Sequence, residues 1–149
     1  MHQEWKRDQL LVTTDPARID VDAIHAYLSR AYWCVGIPHE TVENAVRHSL
    51  CFGLFDGAAQ VGLARLVTDH ATFAYLCDVY VLESHRGRGL GKWLIECVMA
   101  HPCMPGLRRI MLVTNDAHEL YRGFGFVEAT DPQKLMEIRR PNIYQQPRK

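Results

Sequence analysis

The sequence predicts a mixed α/β (α+β) layered domain, and three observations carry that reading. The chain has 149 residues, the size of one domain, and 48% of them are hydrophobic, enough for a sizeable core. The apolar spacing alternates between helical and strand periods along the chain. No internal repeat, low-complexity tract or Pro/Gly/Ser linker interrupts it, so residues 1–149 read as a single domain with a short polar tail from about Pro141.

Gln9 to Thr14 (QLLVTT) reads as a first strand. Asp20 is a good N-cap, and Val21, Ile24, Tyr27, Leu28 and Ala31 recur at helical spacing, predicting a helix that stops near Gly36, before Pro38. Glu40 to Ser49 supplies a second helix through Val42, Ala45 and Val46. Leu50–Phe55, Gln60–Thr68 and Thr72–Leu82 are rich in β-branched and aromatic residues, with an Asp56-Gly57 hairpin signal between the first two, so three antiparallel strands follow. From Gly89 to His101 apolar residues wrap most of a helix, which should be heavily buried. Arg108 to Thr114 is a short apolar strand, Asp116 is read as the N-cap of a helix through Tyr121, and Phe124–Glu128 and Lys134–Arg139 are expected to close the sheet. The order is β-α-α-β-β-β-α-β-α-β-β.

Charge narrows the function. Lys plus Arg (17) equals Asp plus Glu (17), which removes the electrostatic reason to expect a generic nucleic-acid or membrane-surface partner. Five cysteines, Cys34, Cys51, Cys77, Cys97 and Cys103, form neither a C-x-x-C pair nor zinc-site spacing. They read as reduced core residues of a cytoplasmic protein with no metal. Met1 to Pro16 lacks the apolar stretch of a secretory signal, and nothing approaches a membrane span in length.

The most informative segment is Val79 to Lys92 (VYVLESHRGRGLGK), where a strand runs into a glycine-rich turn that opens an amphipathic helix. Glycines let backbone approach a ligand, free N–H groups at the helix start point outward, and the helix dipole favours negative charge there. His85, Arg86, Arg88 and Lys92 concentrate positive charge at the same place, so phosphate is the expected guest. The plainer alternative is a tight strand-to-helix connection with solvated basic residues. The spacing matches neither the dinucleotide fingerprint nor the P-loop.

At these residues the chain resembles the GCN5-related N-acetyltransferase (GNAT) superfamily. Arg86-Gly87-Arg88-Gly89-Leu90-Gly91 matches its Arg/Gln-x-x-Gly-x-Gly/Ala signature, and Ala117-x-x-x-Tyr121-x-x-x-Gly125-Phe126 is similar to a second family element. The resemblance extends in element order from Leu11 to about Arg139. It implies a mostly antiparallel sheet of six to seven strands flanked by about four helices. It also implies an acyltransferase that moves an acetyl group from acetyl-CoA, bound as co-substrate, to a primary amine by direct attack on the thioester.

By the same resemblance, Arg86, Gly87, Arg88, Gly89, Leu90, Gly91 and Lys92 cradle the pyrophosphate. Val79, Tyr80 and Val81 meet the pantetheine arm through their backbone, where an N–H would also stabilise the oxyanion. Tyr121 matches the tyrosine that returns a proton to the CoA thiolate; its alternative is a core aromatic. Asp78, the one acid on its strand, is either a base for the acceptor or a buried partner of an arginine such as Arg65, and water could serve as base instead. Strict alternation sets Asp78 on the face of Leu76 and Tyr80, opposite Cys77 and Val79. Asn115 sits one position away from the place where many relatives have an asparagine, which puts a CoA contact from it in doubt.

Tyr27, Tyr32 and Trp33 cluster before Gly36, and His118 and Tyr144 are polar candidates from the other end of the chain. Tyr27 fits the core face of its helix, while Tyr32, Trp33 and Asp78 are taken as acceptor-binding residues. The leading acceptor is a small-molecule amine. A protein or peptide acetyltransferase and a noncatalytic acyl-CoA sensor are the alternatives, and a homodimer is compatible with the sequence.

Overall fold

A computed structural model describes residues 1–145. Six strands run in sequence order across one sheet: β1 (Glu4–Arg7), β2 (Leu10–Thr13), β3 (Leu50–Asp56), β4 (Ala59–Thr68), β5 (Phe73–Val81) and β6 (Arg109–Leu112). Every neighbouring pair is antiparallel except β5 and β6, which are parallel. The helices are α1 (Val21–Leu28), α2 (His39–Arg47), α3 (Leu90–Met99) and α4 (His118–Arg122). No helix among the described residues is long and apolar enough to cross a membrane.

The sheet separates two cores. On one face Phe52, Leu54, Leu66 and Leu76 pack against Trp93, Leu94 and Val98 of α3 and Tyr121 of α4. On the other, Leu63 and Tyr80 pack against Ile24 and Leu28 of α1, Ile37 and Val42. The sides needed for this follow from strand alternation and from the apolar stripes of the helices. Asp20 caps α1 as expected, its Oδ1 accepting the Ala23 N–H at 3.0 Å.

Four local expectations differ. β1 lies ahead of the expected first strand, because a two-residue turn with Asp8 at φ 55° folds Glu4–Arg7 back onto β2 and Trp5 packs 6.0 Å from Phe52. Phe124–Glu128 and Lys134–Arg139 are not strands, since neither has a backbone partner in the sheet. Asp116 does not cap α4; the Thr114 Oγ1 accepts the Ala117 N–H at 3.0 Å instead. Finally, the segment from Pro141 is not a free polar tail. Ile143–Gln145 forms a short helical turn whose Tyr144 packs on the α1–α2 core, and residues 146–149 of the expected tail lie outside the described residues.

Candidate active site

β6 pairs with only the first half of β5, from Phe73↔Arg109 to Leu76↔Leu112. Beyond Leu76 the two part. β6 ends and the chain turns into α4, while β5 continues to Val81 with no backbone partner on that side among the described residues. The result is a fork whose one prong offers the main-chain groups of Cys77–Val81, and unpaired strand backbone is a ready set of donors and acceptors for an extended ligand.

The prong leads into the glycine turn. Gly87 and Gly89 adopt φ 79° and 73°, left-handed conformations that glycine reaches without steric cost. Gly89 is the N-cap of α3 and contributes no side-chain cap, so the first N–H groups of a ten-residue helix are free. A Cβ built at Gly87, Gly89 or Gly91 meets no atom within 4 Å, so the cradle is open on its outer side. Together these fit a diphosphate group.

The basic residues divide into two kinds. Arg86 turns inward: its Nε donates to the Val81 carbonyl at 2.9 Å and a terminal nitrogen to the Tyr27 hydroxyl at 3.1 Å. His85 is bonded to Asp56 at 2.9 Å. Arg88 and Lys92 have no ion pair among the described residues. Tyr27 stacks flat on Tyr80, 3.9 Å between centroids, with the Arg30 guanidinium over its other face. Tyr27 is thus both the core aromatic expected from its helix and a support of the glycine turn.

The segment after α1 closes over the fork. Arg30 pairs with Glu83 just before the glycine turn, Trp33 Nε1 donates to Asp78 Oδ1 at 2.9 Å, and Asn115 Nδ2 donates to the Tyr32 hydroxyl at 3.1 Å. Glu83 and Asp78 belong to the β5 side and Asn115 to the β6 side, so this segment bridges both prongs. Tyr32 and Trp33 nevertheless keep 68% and 40% of their surface exposed and meet edge to face at 5.1 Å, leaving an aromatic wall at the mouth.

Asp78 departs from strict alternation. It sits at φ 52° in a bulge where the pairing slips from Leu63↔Tyr80 to Arg65↔Cys77. The extra residue turns Asp78 to the face of Cys77 and Tyr80, opposite Leu76 and Val79, correcting the expected grouping. There its Oδ2 accepts the Arg65 Nε–H at 2.8 Å, and Arg65 also reaches the Ser49 hydroxyl. Burial alone would lower the Arg65 guanidinium, but the Asp78 carboxylate more than offsets this and holds it above its usual range.

The family model for the acetyltransferase (GNAT) domain matches residues 47–128, more than half of the chain. A Gibberella zeae protein named as an acetyltransferase is 40% identical over 140 residues, covering 80% of this chain and 79% of its own length. The chain belongs to the GNAT family. It is an N-acetyltransferase. A solved GNAT-family acetyltransferase from Xanthomonas campestris pv. campestris superposes with a TM-score of 0.89 at 48% identity, covering 92% of this chain and 97% of that one. A Clostridium acetobutylicum acetyltransferase solved with acetyl-CoA shares the fold, with a TM-score of 0.60 at 14% identity over 93% of this chain and 96% of that one.

Within this GNAT domain, Tyr121 is buried in the same core as Val79 and Val81, meets Phe126 edge to face at 5.8 Å, and has its hydroxyl pushed above its ordinary value by burial. A phenol held protonated in this way can donate a proton. Burial drives Cys77 up to about 11, Cys34, Cys51 and Cys97 each up to about 12, and raises Cys103, so all five thiols are held toward the protonated form. His118 lines the cleft beyond β6, which Tyr121 also lines, and Tyr144 lies against α1 and α2 beside Arg65 and Asp78. Sequence reasoning did not find the Arg30–Glu83 and Tyr32–Asn115 bridges, which join residues 53 and 83 positions apart. The unplaced Asn115 after Thr114 was the one signal available.

Proposed function

We propose that this N-acetyltransferase takes its acetyl group from acetyl-CoA and passes it directly to a primary amine of a small molecule. The observation that carries the reading is the fork between β5 and β6, one prong of which runs into the open, uncapped N-terminus of α3. When bound, acetyl-CoA supplies a thioester whose carbonyl carbon is open to attack. The free N–H groups of the glycine turn, with Arg88 and Lys92, hold its pyrophosphate. The backbone of Val79, Tyr80 and Val81 holds its arm, and an N–H there faces the developing oxyanion. Arg86 acts through the loop, fixing it to Val81 and to α1 through Tyr27.

Tyr121 donates its phenolic proton to the departing thiolate. Direct attack is supported by the five thiols, all of which burial holds toward the protonated form. Both oxygens of Asp78 are engaged by Trp33 and Arg65, which favours a positioning role over that of a general base. The amine then reacts as its free base and gives its proton to water. Five unpaired thiols accord with a reducing cytoplasm.

The bridged segment at the mouth supports a compact acceptor lying against Tyr32 and Trp33. A protein acceptor is the second reading, because a soybean (Glycine max) protein named as a histone acetyltransferase is 36% identical over 76 residues, half of this chain but 32% of that protein. CoA release from acetyl-CoA, measured with a panel of small amines, peptides and an intact basic protein, tests both. Turnover with small amines and none with the polymers is expected. Turnover with polymers alone reverses the acceptor class, and acetyl-CoA binding without release on any acceptor identifies a sensor.

A further inference from the structure

The segment that leads into the glycine loop is a single helical turn, Glu83–His85. Its backbone makes two hydrogen bonds, His85 N–H to the Leu82 carbonyl and Arg86 N–H to the Glu83 carbonyl. Beyond it, no backbone carbonyl among the described residues accepts the N–H of Gly87, Arg88 or Gly89. Groups left free in this way are available to a ligand, but nothing in the main chain fixes where they point. Side chains must do so. From Glu83 to Gly89 every residue is exposed except His85, whose side chain keeps only 16% of its surface.

His85 is tied through both ring nitrogens. Nε2 lies 2.9 Å from Asp56 Oδ2, and Nδ1 lies 2.7 Å from the Ser84 hydroxyl oxygen. A carboxylate only accepts, so Nε2 carries a proton and donates it to Asp56. The Ser84 hydroxyl donates to Nδ1 when the imidazole is neutral and accepts from it when the imidazole is charged, so both bonds persist in either state. Asp56 is itself fixed, as the last residue of β3, with its backbone registered on Leu10 of β2 and Ala59 of β4. Arg86, the next residue along, reaches a different element, α1, through Tyr27. Two successive side chains thus moor the loop to the β3–β4 hairpin and to α1.

We propose that His85, held by Asp56, is a positioning residue for acetyl-CoA. It fixes the start of the glycine loop to the β3–β4 hairpin, so that the free N–H groups of Gly87–Gly89 converge on one place before the ligand arrives. The inference rests on the reading of this loop as the pyrophosphate cradle. Glycines at φ 79° and 73° have the widest choice of backbone conformations, so a loop without the mooring spends only a fraction of its time in the binding geometry. Apparent affinity falls by that fraction. Loss of His85 also leaves the Asp56 carboxylate without its partner, a negative charge near a diphosphate site.

Calorimetric titration of CoA into the full chain tests the mooring. His85→Phe, which keeps an aromatic ring and removes both hydrogen bonds, and Asp56→Ala should each weaken CoA binding about tenfold. The double variant should bind no worse than the weaker of the two, because both residues act through one contact. His85→Gln, whose carboxamide N–H can again reach Asp56, should recover most of the affinity, which a general loss of packing would not allow. Wild-type CoA affinity in both single variants, whether or not their melting temperatures fall, would overturn the proposal. So would additive losses in the double variant, or a His85→Gln protein as weak as His85→Phe. Each of those results leaves the acetyl-CoA reading standing. A wild-type protein that fails to bind CoA removes that reading, and this inference with it.

Discussion

The indole N–H of Trp33 and the guanidinium of Arg65 divide the two carboxylate oxygens of Asp78 between them, at 2.9 and 2.8 Å. Asp78 therefore ties the segment after α1 to the sheet, while Arg65 neutralises the carboxylate that the bulge turns inward. With side-chain exposures of 12% for Asp78 and 19% for Arg65, the pair is largely withdrawn from water.

Asp78→Asn should consequently lower stability by roughly 3 kcal/mol, toward the lower end for breaking a buried pair because a carboxamide keeps one hydrogen bond. Urea unfolding checks the magnitude. The pH dependence of kcat should keep its shape, since the base is not removed. An unchanged midpoint together with a lost ionisation in the kcat profile would return Asp78 to the role of general base.

Gly89→Asp should abolish acetyl-CoA binding measured by calorimetry. The residue sits at φ 73° with open space around its Cβ position, so the effect comes from strain and from negative charge at a helix N-terminus rather than from a clash. Arg88→Ala and Lys92→Ala should each weaken binding and flatten its salt dependence. Arg86→Ala should also lower thermal stability, because its guanidinium joins Val81 to Tyr27.

Tyr121→Phe should reduce kcat by about 10²–10⁴-fold with little change in acetyl-CoA affinity. Burial raises this phenol above its ordinary value, so the acid form persists through neutral pH. Wild-type kcat should fall only on the alkaline side, beyond where an exposed phenol loses its proton, and the variant should lack that falling limb. Equal profiles for the two enzymes would reduce Tyr121 to core packing.

Gly36→Ala should destabilise the protein by about 1–2 kcal/mol, read from thermal or urea unfolding. Gly36 has φ 83°, and an added Cβ would stand 3.0 Å from the Tyr144 carbonyl oxygen. Tyr144→Ala should destabilise it too, by removing a ring from the α1–α2 core. Insensitivity of both would mean that the C-terminal turn contributes nothing to the fold.

Much of this protein was determined by its sequence alone, wherever the deciding interaction is local. Asp20 bonds to a backbone group three residues ahead, the heavily apolar α3 announces its own burial, and Gly87 and Gly89 provide the left-handed turn from residues adjacent to it. The three-strand meander from Leu50 to Val81 is similar, since Asp56-Gly57 brings neighbouring segments together. The glycine turn and the position of Tyr121 in the family pattern depend on such short spacings.

Only the tertiary structure decided what depends on a distant partner. A strand is a relation between two backbones: Glu4–Arg7 becomes one despite its polar sequence because β2 offers an edge, and Lys134–Arg139 does not despite its pattern because no backbone among the described residues pairs with it. The face on which Asp78 lies turns on a single bulged residue, whose cost is offset by an arginine on β4 and an indole beyond α1. The inward turn of Arg86 and the Tyr32–Asn115 bridge likewise require groups 59 and 83 residues away. Periodicity carries no trace of such contacts, because their free energy appears only when the layers have packed.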